Sequence, residues 1–198
     1  MTDLPARRVL LGVSGSSGAL SVPSIVAWLR AVARVEQVRV VMTESAASFV
    51  APAGLEIASG NPVLVGSPPP TADVPHVTLT EWADAFVVVP ATANVIAKAA
   101  HGIADDLLST AVLASPIPVV FAASMNATMW ANPALRRNVR QVEEDGHHVV
   151  PPALGFRLST ATMELGSMPP VEELFDVVAR HLRHDRAARA TRAGEETA

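Results

Sequence analysis

The amino-acid sequence predicts a doubly wound α/β domain. Short, continuously apolar runs end in Gly, Pro or Ser, and segments with helical periodicity follow them. Such runs are typical of parallel strands that are buried on both faces, and the intervening segments then supply helices to both faces. The chain of 198 residues, 49% of them hydrophobic, is long enough for one core. We therefore expect a Rossmann-like parallel sheet with helices on both faces, in a single flavodoxin-like domain over residues 1–182.

Five strands and four helices can be placed from these patterns. The predicted strands are residues 8–13, 37–42, 84–89, 118–123 and 148–150. Apolar residues at helical spacing indicate the first helix, at Val22, Ile25, Val26 and Leu29. The same spacing predicts further helices over 104–114, 133–142 and 171–182.

Three segments do not follow this alternation. Residues 60–74 are rich in proline and are expected to form a loop, and residues 151–168 are expected to be irregular. Residues 183–198 lack a clear apolar face, so we expect a disordered tail there.

Composition and charge exclude several classes of protein. The net charge of −4 argues against nucleic-acid binding, which requires a basic face. The chain contains no cysteine, which excludes disulfides, thiolate metal sites and cysteine nucleophiles, and the six histidines show no spacing typical of a metal site. No apolar run is long enough to span a membrane, and residues 1–8 lack the apolar core of a signal peptide, so a cytoplasmic protein is predicted. The high apolar content also predicts surface that is buried between subunits.

A glycine- and serine-rich loop follows the first predicted strand. Residues 12–18 read Gly-Val-Ser-Gly-Ser-Ser-Gly and lead into the first helix. At this point of a doubly wound sheet, free N–H groups and the helix dipole bind anions. The spacing is neither the dinucleotide G-x-G-x-x-G nor a P-loop, which would carry a Lys. Two interpretations stay open from the loop alone: a phosphate site for a mononucleotide, or a tight turn that binds nothing.

Three further segments are more specific. Residues 75–79 read Pro-His-Val-Thr-Leu and precede Trp-Ala-Asp, residues 90–95 read Pro-Ala-Thr-Ala-Asn-Val, and residues 125–130 read Met-Asn-Ala-Thr-Met-Trp. The first resembles the segment that carries the active-site histidine of the homo-oligomeric flavin-containing cysteine decarboxylases. The other two resemble the P-A-S-A-N-T and P-x-M-N-x-x-M-W motifs of that family, which includes phosphopantothenoylcysteine decarboxylase and the epidermin-type peptidyl-cysteine decarboxylases. The resemblance spans about residues 8–170.

The resemblance implies a flavin site at the subunit interfaces of a homotrimer, or of a homododecamer of four trimers. The phosphate group would lie on Gly12, Ser14, Gly15 and Ser16. Flavin contacts are implied for residues after the second and third of these strands: Thr43, Ser45, Phe49, Ala91, Thr92, Ala93 and Asn94. FMN carries the phosphate that the loop of residues 12–18 (the phosphate loop) would bind, and the sequence does not distinguish FMN from FAD.

Two residues are the predicted catalytic groups. His76 is predicted to transfer protons, because imidazole titrates near neutral pH. Asn126 is predicted to bind the substrate carboxylate or amide, because its side chain both donates and accepts. Each residue has a structural alternative. His76 could instead lie on a strand edge or on a solvated loop, and Asn126 could be the N-cap of the helix that follows it. Asn94 likewise stays between helix capping and flavin contact.

Substrate contacts are implied for one further segment. Residues 151–168 lie where members of the family fold a clamp over the substrate, and Gly155, Arg157 and Met168 are the candidate contacts there. Met129 would shape the cysteine pocket. The alternative for this segment is an ordinary surface loop.

Departures from the family pattern indicate which branch of the family the chain resembles. Ala123 replaces a proline and His101 replaces an asparagine, at positions away from the expected chemistry. In phosphopantothenoylcysteine decarboxylase-like enzymes a cysteine of the C-terminal segment helps to reduce the enethiol, and this chain has none. The resemblance therefore implies an oxidised aminoenethiol product, made from the C-terminal cysteine of a ribosomally made precursor peptide on the route to S-aminovinyl-cysteine, as in lanthipeptides.

Three alternative functions stay open at this point. Phosphopantothenoylcysteine decarboxylase of coenzyme A biosynthesis is the nearest. A flavin prenyltransferase is less favoured, since its C-terminal signature for dimethylallyl phosphate is not evident. A non-catalytic flavin-binding regulatory subunit is disfavoured by the presence of both His76 and Asn126.

Overall fold

The computed structural model describes residues 4–67, 74–157 and 161–196. Its main sheet is built from six short strands: β1 Arg8–Val13, β2 Gln37–Met42, β3 Val63–Val65, β4 Ala85–Ala91, β5 Val119–Ala123 and β6 His148–Val150. Every neighbouring pair is parallel, and the order across the sheet is β3-β2-β1-β4-β5-β6. This is the Rossmann order of doubly wound folds, so the predicted fold class is confirmed.

Both faces of the sheet are buried, as the continuously apolar runs predict. In β1, Val9 and Leu11 belong to one hydrophobic cluster and Leu10, between them, belongs to the other. Alternate residues of a strand point to opposite faces, so the strand has no polar face to present to water.

Helices cover the two faces. They are α1 Val22–Ala31, α2 Glu44–Ala47, α3 Pro52–Ser59, α4 Pro75–Trp82, α5 Ala93–Ala100, α6 Leu107–Leu113, α7 Ala127–Ala131, α8 Pro133–Glu144 and α9 Val171–Glu196. The first cluster holds apolar residues of α1, α3 and α9, and the second holds those of α4, α5, α6 and α8. A short 3₁₀ helix, Ser17–Ser21, leads into α1. None of the helices within the described ranges combines the length and apolarity needed to cross a lipid bilayer.

The structure corrects two expectations about irregular segments. Residues 60–74 are not all loop, because Val63–Val65 adds β3 to the edge of the sheet by pairing with β2; residues 68–73 lie outside the described part. Residues 151–168 hold an antiparallel hairpin of β7 Ala153–Arg157 and β8 Thr162–Ser167. The prediction failed there because glycines interrupt the alternating pattern that would mark the strands.

The last helix extends into the segment for which a disordered tail is expected. α9 continues through Arg183 to Glu196, and Asp185 accepts a hydrogen bond from His148 Nε2 at 3.0 Å. Ala, Arg and Glu have high helix propensity, which accounts for the continuation without an apolar face. The domain boundary at residue 182 stays a prediction.

His147, which precedes β6, gives the fold a pH dependence. Its Nδ1 accepts a hydrogen bond from the Val119 N–H at 3.1 Å, which requires an unprotonated Nδ1. Burial lowers the pKa of His147 from its usual value of 6.5, the charge of Asp145 opposes that shift and the charge of His148 adds to it. A lowered histidine pKa contributes stability that is complete above the unfolded value and is lost as the pH falls below it.

We therefore expect His147→Gln, which keeps an acceptor and cannot titrate, to reduce the loss of stability between pH 7.5 and pH 5.5. The measurement is the urea midpoint at both pH values. His101→Gln, at an exposed position, is the control and should follow the wild type. An equal loss in all three proteins would contradict the assignment.

Candidate functional site

The predicted site residues lie where the strands of the sheet end. The segments after β1, β2, β4 and β5 all emerge at its carboxyl edge, and the chain turns in opposite directions after β1 and β4. Ligands of doubly wound sheets bind in the crevice at such a switch point.

Ser14 joins the loops that follow β1 and β4. It is buried, and its hydroxyl donates to the Pro90 carbonyl at 2.8 Å and accepts from the Thr92 N–H at 3.0 Å. Its own N–H also donates to the Pro90 carbonyl, at 3.2 Å. The hydroxyl and the N–H of Ser14 thus both bond within the protein. Ser14 therefore shapes the phosphate loop by fixing it to the backbone of Pro90 and Thr92.

Two glycines of the loop are required by close packing. A Cβ on Gly12 would collide with the side chain of Leu108, and a Cβ on Gly15 would lie 2.9 Å from the carbonyl carbon of Ser45. The second contact brings the loop after β1 against the start of α2. A larger residue at either position would force the loop away from Leu108 or from the start of α2.

The loop after β2 adds hydroxyl groups to the same edge. Thr43 is the N-cap of α2, accepting from the Ala46 N–H at 3.2 Å, and its hydroxyl lies 3.0 Å from that of Ser45. Ser45 is exposed and Phe49 is 42% exposed. Hydroxyls next to backbone N–H groups suit a phosphate or flavin oxygen, and an exposed aromatic ring suits a flat ligand.

The segment after β4 resolves the question about Asn94. Thr92 is the N-cap of α5 and accepts from the Val95 N–H at 3.4 Å. Asn94 lies one position inside the helix, and its side chain is exposed. Helix capping is therefore not its role. Ala91 is buried and Ala93 is half-buried, so this segment presents a small-residue surface at the switch point.

Asn126 is the N-cap of α7. Its Oδ1 accepts from the Met129 N–H at 2.9 Å, and the residue is exposed. A backbone N–H can meet only the oxygen of the amide, so the contact fixes which end faces outward. The capping alternative is thus correct, and the same bond leaves the NH₂ group directed away from the helix as a hydrogen-bond donor.

A cavity of about 1340 Å³ opens at the carboxyl edge of the sheet. One wall is the start of α1 and the 3₁₀ helix before it, the second is the segment after β5, and the third is the hairpin of β7 and β8. Four predicted residues line it, namely Ser16, Asn126, Gly155 and Met168. Its lining also includes residues that the sequence did not indicate, among them Trp28, Ser124, Leu154 and Leu165.

The hairpin is fixed to the segment that carries Asn126. The Met125 N–H donates to the Gly166 carbonyl at 3.1 Å, and Gly166 has a φ of +146°. A Cβ there would also lie 2.7 Å from the Met125 carbonyl oxygen. The glycine therefore lets β8 approach, and Leu154 and Leu165 form a partly exposed apolar pair across the two strands. The side chain of Arg157 lies outside the described residues.

Met129 and Trp130 follow Asn126 on α7 but face different surroundings. Met129 is 44% exposed, whereas the ring of Trp130 packs on the second cluster and under the Arg136 guanidinium, whose carbon lies 4.9 Å from the ring centre. Trp130 is thus a packing residue.

His76 lies apart from the cavity within one chain. It is in the first turn of α4, half-exposed, and its carbonyl accepts from the Thr80 hydroxyl at 2.7 Å. α4 packs on the second cluster through Leu79, while α1, the cavity wall, packs on the first. α1 and α4 therefore cover opposite faces of the sheet, and α4 contributes no residue to the described lining of the cavity. His76 stands on neither a strand edge nor a loop.

Asp105 and Asp106, which lie between α5 and α6, have a structural role. Lys98 Nζ lies 2.6 Å from Asp105 and 2.9 Å from Asp106, and Asp106 caps α6. Partial burial opposes the Lys98 charge, but the bonds to the two carboxylates outweigh it and raise the pKa of Lys98. Asp106 is therefore a helix-capping residue whose charge is balanced by Lys98.

Comparison with known proteins assigns the family. The family model described as Flavoprotein matches residues 1–183, and the chain belongs to this family. The structure is similar to the crystal structure of the FMN-dependent cysteine decarboxylase SpaF, with 40% identity, a TM-score of 0.77 and coverage of 89% of this chain and 97% of that one. It is also similar to a PPC decarboxylase complexed with pantothenoylaminoethenethiol, with 29% identity, a TM-score of 0.74 and coverage of 86% and 95%. The predicted resemblance to cysteine decarboxylases is confirmed.

Curated relatives of the chain are described as coenzyme A biosynthesis proteins. The chain is 41% identical over 180 residues to the coenzyme A biosynthesis bifunctional protein CoaBC of Mycobacterium tuberculosis. That match covers 90% of this chain, but the chain spans only about two fifths of the length of the relative, 42%.

FMN is the cofactor, and the residues present fit it. The closely packed glycine loop, the hydroxyls of Thr43 and Ser45 and the small residues at the switch point lie together at the carboxyl edge of the sheet, and such a set of backbone N–H and hydroxyl groups suits the phosphate of FMN. The individual flavin contacts named from the sequence stay predictions.

Proposed function

We propose that this protein oxidatively decarboxylates the C-terminal cysteine of a precursor peptide to an aminoenethiol. The observation that carries the proposal is the cavity that joins the phosphate loop, the outward NH₂ group of Asn126 and the hairpin. A donor at the floor suits a terminal carboxylate, and an open cleft beside a hairpin accommodates an extended chain.

The chemistry separates into tasks for the cofactor and for the protein. When bound, FMN would supply the oxidant for the two-electron conversion of the Cβ–SH group to a thioaldehyde. The carboxylate then leaves as carbon dioxide, its electron pair enters the C–S unit, and a proton gives the enethiol. Asn126 holds the carboxylate by donating its NH₂, and His76 takes and returns the thiol proton.

His76 needs a second subunit to reach this site. Val74 and Val77, on either side of it, are 48% and 37% exposed, so α4 offers an apolar surface around the imidazole. In a homo-oligomer, trimeric or dodecameric, this surface would pack on a neighbouring subunit and place His76 in its cavity. The proposed active site is thus shared between subunits.

The lining of the cavity favours a peptide. Trp28, Ile25, Leu154 and Leu165 give it an apolar wall, and the ionisable group among its described lining residues is the Glu164 carboxylate. Such surroundings favour apolar peptide side chains over a phosphate dianion. The absence of cysteine from the sequence supports the oxidised enethiol as the final product.

Phosphopantothenoylcysteine is the second candidate substrate. It is favoured by the 41% identity to CoaBC. The two candidates differ in the group that the cavity must accept beyond the cysteine, which is an uncharged peptide in one case and a phosphorylated pantothenoyl chain in the other.

The visible spectrum of the FMN protein under anaerobic conditions tests the proposal. We expect peptides that end in cysteine to bleach the flavin band and to lose carbon dioxide and two hydrogens, measured by mass spectrometry. Peptides that end in serine are the matched control and should leave the flavin oxidised. Bleaching by phosphopantothenoylcysteine alone would establish the second candidate instead.

A further inference from the structure

Ser124 occupies a central position in the cavity without a role assigned so far. It directly follows β5, lies two residues before Asn126 and lines the cavity. Its N–H donates to the Ala91 carbonyl at 2.9 Å, and the residue is 8% exposed. It is therefore held rigidly by the ends of β4 and β5, with its hydroxyl at the floor of the site.

The Ser124 hydroxyl accepts a hydrogen bond but donates none to the described residues. Ser16 Oγ donates to Ser124 Oγ at 3.2 Å, and Ser16 Oγ itself accepts from the Gly18 N–H at 3.3 Å. The Ser124 oxygen is thus an acceptor in this chain of bonds, and among the described residues none accepts its proton. A largely buried hydroxyl that already accepts one bond is a stronger donor, because hydrogen bonds in a chain polarise one another.

Ser124 lies beside two further residues that line the cavity, Gly18 and Met168. A Cβ on Gly18 would lie 3.0 Å from Ser124 Oγ and 3.1 Å from Met168 Cε, so the absence of a side chain at Gly18 lets these two residues come close to the 3₁₀ helix. Asn126, whose Oδ1 is engaged by the Met129 N–H, lines the same cavity and has its NH₂ group left as a donor. Two donors that are two residues apart suit an acceptor with two oxygens.

We propose that Ser124 donates a hydrogen bond to the carboxylate of the substrate beside Asn126. This inference rests on the proposed function and names a second residue that recognises the C-terminus. Ser16 supports the contact from behind by donating to Ser124. A terminal amide would lose part of this recognition, since it has one oxygen and no charge.

Peptides that end in serine allow the contact to be measured without turnover. The dissociation constants of one peptide with a free C-terminus and of its C-terminal amide are measured for the FMN protein and for Ser124→Ala. We expect the wild type to prefer the acid and Ser124→Ala to lower that preference about 10- to 100-fold, as for a hydrogen bond to a charged group. The affinity of the apoprotein for FMN should not change.

The control variant is Ser115→Ala, whose hydroxyl donates to the Ile117 carbonyl at 2.7 Å away from the cavity. It should keep the wild-type preference. An unchanged preference for the acid in Ser124→Ala would overturn the inference. Weaker FMN binding in that variant would also overturn it, because the Ser124 hydroxyl would then donate to a flavin oxygen. Failure of both peptides to bind the wild type would refute the proposed function itself.

Discussion

Replacement of His76 by Asn is expected to abolish turnover of cysteine-terminated peptides while FMN stays bound. Asn offers similar volume and a donor, but it cannot exchange a proton near neutral pH. General acid–base catalysis contributes about 10²- to 10⁴-fold to a rate. The measurement is the rate of anaerobic flavin bleaching, with the flavin absorbance per subunit as the check on cofactor binding.

The control for His76→Asn is His101→Asn, which restores the residue that the resembling family often has there. It should bleach at the wild-type rate. Retained bleaching in His76→Asn would remove His76 from the mechanism, whereas loss of FMN would make it a cofactor-binding residue.

The position of His76 adds a sharper test. His76 lies on α4, which contributes no residue to the described lining of the cavity, so in the proposed homotrimer the site would take its histidine from one subunit and its asparagine from another. Co-expression of His76→Asn with Asn126→Asp, with a different tag on each, gives mixed trimers. In a mixed trimer one of the three shared sites keeps both residues, so about one third of the wild-type activity should return. The assay is run at peptide concentrations far below the raised KM of Asn126→Asp, where sites formed within one chain would give almost no activity.

The core of the fold could be predicted because its signals are local. β1 and β2 have the predicted bounds, since uninterrupted apolar runs between turn residues mark strands that are buried on both faces. The edge strand β3 has three residues and no such run, and its pairing depends on β2. The hairpin of β7 and β8 depends on the contact of Gly166 with Met125, which joins distant parts of the chain.

The candidate site was predictable in part for the same reason. Asn126 and the phosphate loop lie in short motifs directly after strands, so sequence and topology place them at one edge. Trp28 and Ser124 were missed because their role comes from which wall of the cavity they face. Ser124 did carry a usable signal, as the polar residue directly after the strand predicted over 118–123.

Asn126→Asp is expected to raise the KM of cysteine-terminated peptides about 100-fold or more. Asp is as good an N-cap as Asn, so its carboxylate still accepts from the Met129 N–H and α7 should be retained. The outward group changes from a donor to an acceptor with a negative charge, which repels the substrate carboxylate and removes a charge-assisted bond. The substitution thus separates binding from capping, two functions that one side chain combines.

Asn126→Ser completes the comparison. Serine caps the helix without introducing a charge, but it lacks the NH₂ group that would bind the substrate carboxylate. We therefore expect a KM between those of the wild type and Asn126→Asp, at unchanged thermal stability. Peptide amides should distinguish the variants less than acids, because the repulsion requires the terminal carboxylate. An equal loss of affinity for acid and amide would mean that Asn126 shapes the pocket, and the C-terminus would then have to be recognised by other groups of the cavity.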